Sequence, residues 1–303
     1  MNVLLIGGNG FIGSHIVDKL IAEGHKVRVF DFQFEKYRTP LPDVDYRLFS
    51  LDNSNELASA MEGIDCVFHL ASLAFPGSSD FDLIKEMESN LFSTINILNL
   101  AVKIGIKKFV YFSSGGAVYG STNGNSFSEK AVLNPISSYG IIKATSEMYI
   151  SLYQKKYGMD VLIIRPSNPF GPRQNYTKGQ GVIPIFLNNI KNNIPISIFG
   201  DGEGKKDYIY ITDLVNSVYD LFKANSKGVF NIGSGKENSI NSIIKEIKSI
   251  IKKDFTFDHT DRKIHDVNNL SLDISKLKSQ IEIENFVSFR EGIKKTWAWI
   301  VNI

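Results

Sequence analysis

Tyr139 and Lys143 stand four residues apart in the run Ser138-Tyr139-Gly140-Ile141-Ile142-Lys143. On a helix that spacing puts a phenol and an ammonium on one face, one turn apart. A fixed positive charge beside a phenol favours the phenolate and lowers its pKa toward a catalytically useful range. The pair then forms a proton shuttle for an alcohol being oxidised or a ketone being reduced. Such a spacing also arises by chance on amphipathic helices, so its meaning depends on the elements that would position it.

The chain opens on a short apolar run, Val3 to Ile6, followed by Gly7-Gly8-Asn9-Gly10-Phe11-Ile12-Gly13 and a helical pattern through Ile16, Leu20 and Ile21. The run reads as a buried parallel strand. Gly7, Gly10 and Gly13 allow a tight turn and close backbone approach to a pyrophosphate, which the free N–H groups of the helix start then face. A second strand, Lys26 to Asp31, ends in an acid eighteen residues after Gly13. That is near the spacing of a ribose-binding carboxylate, and an acid there suits a free 2′-hydroxyl, so NAD is favoured over NADP.

A chain of 303 residues with 43% hydrophobic and 22% charged side chains has the composition of a soluble globular protein of one or two domains. A net charge of +2 gives no case for nucleic acid or membrane partners. The single Cys66 excludes an intrachain disulfide and reads as core. The first strand starts at Val3 with no signal peptide before it and no apolar run approaches a membrane span, so a cytoplasmic location is expected. Strand signals fall near 2–7, 26–31, 65–71, 108–113 and 161–165, and helix signals near 11–23, 54–62, 80–104, 138–157 and 212–224. This alternation predicts an α/β fold: a Rossmann-type, doubly wound parallel sheet with a smaller α/β C-terminal domain. After Arg165 prolines punctuate short segments. The strand-like stretches 207–211 and 229–232 are expected to return to the first sheet. The cofactor domain is then 1–165 plus about 207–232, and a substrate domain takes 166–206 and 233–303, with the substrate in the cleft between them.

At this point the residues resemble the extended short-chain dehydrogenase/reductase family, within it the nucleotide-sugar epimerases of the UDP-glucose 4-epimerase type. Beyond the glycine turn, the resemblance is carried by His69-Leu70-Ala71-Ser72, Asn90, Ser113-Ser114 with Val118-Tyr119-Gly120, and Tyr139/Lys143. It continues through Arg165-Pro166-Ser167-Asn168-Pro169-Phe170-Gly171-Pro172-Arg173-Gln174, Gly181-Val182-Ile183-Pro184, Lys206-Asp207-Tyr208 and Asn231-Ile232-Gly233. The resemblance implies tightly held NAD, contacted by Gly7, Gly10, Phe11, Ile12, Gly13, Asp31, Ser50, Leu51, Leu70, Ala71, Ser72, Asn90, Ser113, Tyr139, Lys143 and Pro166. It implies a nucleotide-sugar substrate, with Asn168, Gly181 and Val182 at the diphosphate and Ser197 and Phe199 bracketing the base. Lys206 takes the place of an arginine that reaches the diphosphate; it keeps the charge and loses the bidentate fork. A further arginine of the family falls at Arg262 or Lys263. The resemblance also implies a homodimer formed through helices 80–104 and 138–157; no metal is expected.

The loop after the 108–113 strand separates members of the family, and two departures, at Gly115 and Ser50, stand out. Dehydratases of the family carry an Asp-Glu pair just before Val-Tyr-Gly, where this chain has Gly116 and Ala117, which disfavours dehydration and leaves redox at one carbon. The family's Ser or Thr that helps the tyrosine is here Gly115, so either Ser114, Ser113 or a water takes its part or Tyr139 handles the proton with less help. At Ser50 the family has an Asp on adenine, for which either Asp52 compensates or Leu51 packs alone. Leu270 falls where a gate residue limits bulk at the sugar C2, so N-acetylated hexosamines are expected to be accepted. The resulting expectation is a UDP-hexose or UDP-N-acetylhexosamine C4 epimerase with Tyr139, Lys143 and Ser114 as its catalytic residues. The alternatives are a reductase of nucleotide-linked 4-keto-6-deoxysugars and a non-catalytic nucleotide-sensing relative.

Overall fold

The computed structural model describes residues 1–72, 82–122, 124, 126–176, 181–261 and 269–303. The first half runs β1 (Asn2–Ile6), α1 (Phe11–Ala22), β2 (Lys26–Asp31), β3 (Val44–Leu48), α2 (Ser54–Met61), β4 (Cys66–His69), α3 (Leu83–Glu86), a π-helical turn Met87–Phe92, α4 (Ser93–Ile104), β5 (Lys108–Phe112), α5 (Gly115–Val118), α6 (Ser138–Tyr157) and β6 (Asp160–Pro166). There follow β7 (Asn168–Phe170), α7 (Val182–Lys191), β8 (Ile196–Phe199), β9 (Lys205–Tyr210), α8 (Ile211–Lys223), β10 (Gly228–Ile232), β11 (Glu237–Ser239), α9 (Ile240–Ile250), β12 (Phe257–Thr260), α10 (Ser275–Gln280) and α11 (Phe289–Val301).

Seven strands form one parallel sheet in the order β3-β2-β1-β4-β5-β6-β10. Its central strands are near-continuous apolar runs because helices cover both faces. On one face Leu4, Ile6, Phe30 and Val67 pack with Leu57, Ile97 and Ile150 from α2, α4 and α6. On the other, Val3, Leu5 and Val29 pack with Ile16 and Leu20 of α1 and Leu214 and Val218 of α8. That second core runs on without a break into Ile183, Leu187, Ile196, Ile243 and Ile293 of the C-terminal part. Among the described residues no helix is long and apolar enough to cross a membrane.

Three elements differ from the sequence expectation. β3 is an additional edge strand, paired only with β2; its Asp45 and Arg47 face solvent and dilute the apolar signal. The 207–211 stretch does not enter the large sheet. As β9 it pairs instead with β7 and β11, while β10 alone returns to β6. The helix expected over 80–104 starts, within the described residues, at Leu83, where the Asp82 side chain accepts from the Lys85 amide, and it widens into a π turn around Asn90. By contrast α6 spans 138–157 as expected, capped by the Ser137 hydroxyl and ended by Gly158 at φ 68°.

Candidate active site

The site forms at the carboxyl ends of the parallel strands, where an open α/β sheet leaves a crevice. After β1 the chain turns so tightly that a Cβ on Gly7 would lie 2.5 Å from the Ala71 amide nitrogen, and one on Gly13 would lie 2.3 Å from the Gly7 carbonyl oxygen. No side chain fits at either position. Gly10 caps α1, its carbonyl accepting from the Ser14 amide at 2.9 Å, so the first-turn amides of Phe11, Ile12 and Gly13 are left for an anion. Asp31 ends β2, with one carboxylate oxygen accepting from the Asn9 amide (2.9 Å) and the other from the Phe32 amide (2.8 Å). Burial pushes this carboxyl above its usual range against those hydrogen bonds. A cradle that excludes side chains, helix amides behind it and an acid at the end of the next strand fit a dinucleotide with a free ribose. Beyond β3, Leu51 packs on the core while Ser50 and Asp52 are exposed. Leu70 and Ala71 follow β4, both amides donating to the Ile6 carbonyl, and the Ser72 hydroxyl donates to Asn90 Oδ1 at 3.1 Å.

Tyr139 and Lys143 lie on the first turns of α6. That helix is seated directly on α5: a Cβ on Gly140 would lie 2.4 Å from the Ala117 carbonyl oxygen. The close seat brings the Ser114 hydroxyl near the Tyr139 phenol, where it favours the ionised form, and Ser114 does not spend that hydroxyl on capping α5. The Lys143 ammonium is buried, donates to the Phe112 carbonyl at 2.8 Å, and sits 4.9 Å over the Tyr111 ring and 5.8 Å from the centre of the Tyr139 ring.

The electrostatics depart from the sequence expectation of a lowered tyrosine pKa. Burial pushes the Tyr139 phenol up to about 12, opposed by the nearby Ser114 hydroxyl. Burial brings Lys143 down to about 8, opposed by the charge of Glu147. At neutral pH the lysine is therefore charged and the tyrosine is a phenol. Proximity alone did not decide the shift, because desolvation disfavours the charged form of both groups.

Two leucines explain Gly115. A Cβ there would lie 2.8 Å from Leu272 Cδ1 and 3.0 Å from the Pro166 carbonyl oxygen, and one on Gly116 would lie 3.3 Å from Leu270 Cδ2. Leu270 and Leu272 are both buried and roof the loop, so the space for a Ser or Thr side chain at 115 is already filled. Ser113 offers no substitute, since its hydroxyl donates to Glu147 Oε1. Of the two serines, Ser114 is the one that meets Tyr139.

On the far side, the Asn168 side-chain Nδ2 donates to the Asp207 backbone carbonyl at 2.8 Å, and Lys206 bridges by its backbone to Leu270, which brings these residues beside the loop. The Asp207 carboxylate itself accepts from Ser234 N (2.9 Å), Ser234 Oγ (2.7 Å) and Gly235 N (3.0 Å), fixing the turn after β10 against β9. Gly181 caps α7 and Val182 starts it; the packed Gln174 lies against Gly181 and donates to the Pro169 carbonyl at 3.3 Å. Ser197 and Phe199 occupy the solvent face of β8, in the separate two-stranded sheet with β12. Arg262, and Lys263 beside it, lie outside the described residues. Sequence reasoning missed Leu272, Glu147 and the role of Arg165. A signal for Glu147 existed, because it continues the four-residue stripe of Tyr139 and Lys143.

Comparison with known proteins agrees with this geometry. The family model described as the NAD dependent epimerase/dehydratase family matches residues 3–233. A putative UDP-glucose 4-epimerase of Methanocaldococcus jannaschii is 35% identical over 99% of this chain and 98% of its own. A dTDP-4-dehydro-6-deoxyglucose reductase of Escherichia coli is 32% identical over 97% of this chain and 95% of its own. The crystal structure of a Thermotoga maritima UDP-glucose 4-epimerase with UDP-glucose superposes with a TM-score of 0.94 at 33% identity, covering 100% of this chain and 99% of that one. The glycine cradle, the strand-end acid and the Tyr139–Lys143 helix thus sit in a chain that belongs to the NAD dependent epimerase/dehydratase family.

Proposed function

We propose that the protein is a nucleotide-sugar C4 epimerase acting on a UDP-hexose or UDP-N-acetylhexosamine. The observation that carries this reading is the Ser114–Tyr139 hydroxyl pair beside a buried, charged Lys143, facing a loop of Gly115, Gly116 and Ala117 that holds no acid. NAD, when bound, supplies the hydride acceptor and donor. Tyr139, once it has given up its own proton to become the phenolate that Lys143 and Ser114 favour, takes the proton of the 4-hydroxyl as that carbon becomes a ketone. It returns the proton after the sugar has turned its other face, so nothing is consumed. Ser114 donates to the tyrosine oxygen, which favours the phenolate, and Lys143 adds its charge and holds the nicotinamide ribose. Gly7, Gly10, Phe11, Ile12 and Gly13 take the pyrophosphate and Asp31 the adenosine ribose, with Leu51 packing at adenine. Asn168, Gly181, Val182 and Lys206 take the nucleotide diphosphate, Ser197 and Phe199 the base, and Leu270 bounds the sugar.

Incubation of purified protein with UDP-glucose or UDP-N-acetylglucosamine without added cofactor tests the reading. Interconversion with the C4 epimer is expected, and Tyr139→Phe should abolish it. Full activity of Tyr139→Phe would sink the catalytic assignment. The Escherichia coli relative favours a second reading, reduction of a nucleotide-linked 4-keto-6-deoxysugar. Turnover of such a substrate only with added NADH or NADPH, and no epimerisation, would establish that reading instead.

We also propose that two copies pair through α3, α4 and α6. Leu83, Ile84, Met87 and Phe92 on one helix run, and Ile141, Met148, Tyr149 and Leu152 on the neighbouring one, are large apolar side chains left exposed. Large apolar side chains left exposed on neighbouring helices mark an interaction surface. Sedimentation should give a dimer, and Met148→Glu with Leu152→Glu a monomer.

A further inference from the structure

Behind the Tyr139–Lys143 face lies a buried polar chain. Tyr139, Lys143 and Glu147 form one stripe along α6, and Lys143, Glu147 and Arg165 are each 4% exposed. Glu147 Oε1 accepts from the Ser113 hydroxyl and from Arg165 Nε at 3.0 Å, and Oε2 accepts from Arg165 Nη2 at 2.5 Å. Arg165 Nη1 donates to the Tyr119 hydroxyl at 2.6 Å, and that hydroxyl donates to Asn231 Oδ1 at 2.8 Å. Well-packed apolar side chains usually stabilise a protein as much as a buried ion pair does, so stability is a weak reason for one at this place.

Its position suggests the reason. The groups that face Lys143 are the Phe112 carbonyl and Tyr111 ring of β5, His69 of β4, and Tyr139 and Glu147 of α6. His69, held by Thr94 Oγ1 at 2.9 Å, is kept neutral by burial and by the Lys143 charge, down to about 3. Glu147, one helical turn beyond Lys143 on the same buried face of α6, is therefore the one negative charge in this set. Through Ser113 it also grips the residue just before Ser114, whose partner across the sheet is fixed by the Ser113 amide donating to the Ile164 carbonyl at 2.8 Å.

We propose that Glu147, clamped by Arg165, is a positioning residue for this site: it supplies the compensating charge for the Lys143 ammonium and fixes Ser113 so that Ser114 meets Tyr139. The proposal rests on the catalytic reading of Tyr139, Lys143 and Ser114 given above. Glu147→Gln removes the charge and keeps the shape. Because it strands the Arg165 guanidinium, Glu147→Gln/Arg165→Met is made beside it, replacing the whole pair by neutral side chains. Titration of the Lys143 amine is followed by its nitrogen resonance in ligand-free, lysine-labelled protein, assigned with Lys143→Arg. In both variants the midpoint is expected to fall by about half a unit or more. The alkaline limb of kcat should move down with it, at unchanged KM. Ser113→Ala should lower kcat about ten-fold without moving the Lys143 midpoint. An unchanged midpoint in the folded Glu147 variants would overturn the charge role, and an unchanged kcat in Ser113→Ala the positioning role. The titration does not depend on turnover. If Tyr139→Phe stays active while the Lys143 midpoint still moves, the catalytic reading fails and the Glu147–Lys143 coupling stands.

Discussion

The complementarity of Gly115 and Leu272 gives a quantitative test. Gly115 opens the short helix α5, and with no steric conflict alanine there would stabilise the fold by about 0.4–1 kcal/mol. The structure places the new methyl 2.8 Å from Leu272 Cδ1 and 3.0 Å from the Pro166 carbonyl oxygen. Leu272 is 2% exposed and has nowhere to swing, and the carbonyl is backbone. Overpacking of that kind costs about 1–3 kcal/mol, so Gly115→Ala should lose roughly 1–2 kcal/mol net. Leu272→Ala alone leaves a cavity and should lose about 2–5 kcal/mol. In the double variant the added methyl occupies part of that cavity, the clash with Leu272 is gone, and only the tight approach to the Pro166 carbonyl is left. The two losses should then fall short of additivity by at least about 1 kcal/mol. Equilibrium unfolding in urea, followed by tryptophan fluorescence and circular dichroism, measures all four proteins. A neutral or stabilising Gly115→Ala, or losses that add within about 0.5 kcal/mol, would refute the packing argument.

Three further outcomes follow from named groups. His15 is held at about 4 by burial and then by the Arg173 charge, with Arg173 Nη2 at 2.7 Å from its Nδ1. The unfolded chain protonates first, so stability is lost as pH falls from about 6.5 to 4; His15→Gln should flatten that slope relative to the parent in urea melts at stepped pH. Asp213 is buried, is raised to about 6, and accepts from the Val287 amide at 2.9 Å. Here the folded state holds the proton more tightly, so its contribution is present below about pH 4 and lost as pH rises through 6; Asp213→Asn should gain on the order of 2 kcal/mol above pH 6 and nothing below pH 4, and an equal effect at both would contradict it. Ser114→Ala removes the hydroxyl that favours the Tyr139 phenolate. Its kcat should fall about 10²-fold with KM nearly unchanged, and a change confined to KM would place Ser114 in binding alone.

Local rules reach far in this chain because several of its elements carry their own punctuation. The Val3–Ile6 run, the glycine turn and the acid of Asp31 identify a dinucleotide cradle, since each residue type there meets a backbone or charge requirement that no other type meets. Helix α6 is equally legible, from Ser137 at its start to Gly158 at its end. β3 escapes notice because an edge strand shares one side with water and tolerates Asp45 and Arg47. β9 reads correctly as a strand but its sheet does not, because the pattern within a strand is silent about its neighbours.

The amino-acid order by itself determined the parallel fold, the cofactor cradle and the Tyr139–Lys143 spacing, all of which depend on residues close in sequence. Only the tertiary structure decided how that pair is charged. Whether Lys143 lowers the Tyr139 pKa or burial raises it turns on desolvation, which depends on everything packed around both groups. It also decided which serine helps. Leu272, far along the chain, fills the place beside Gly115, and Glu147 binds Ser113, so the hydroxyl that reaches the tyrosine is that of Ser114.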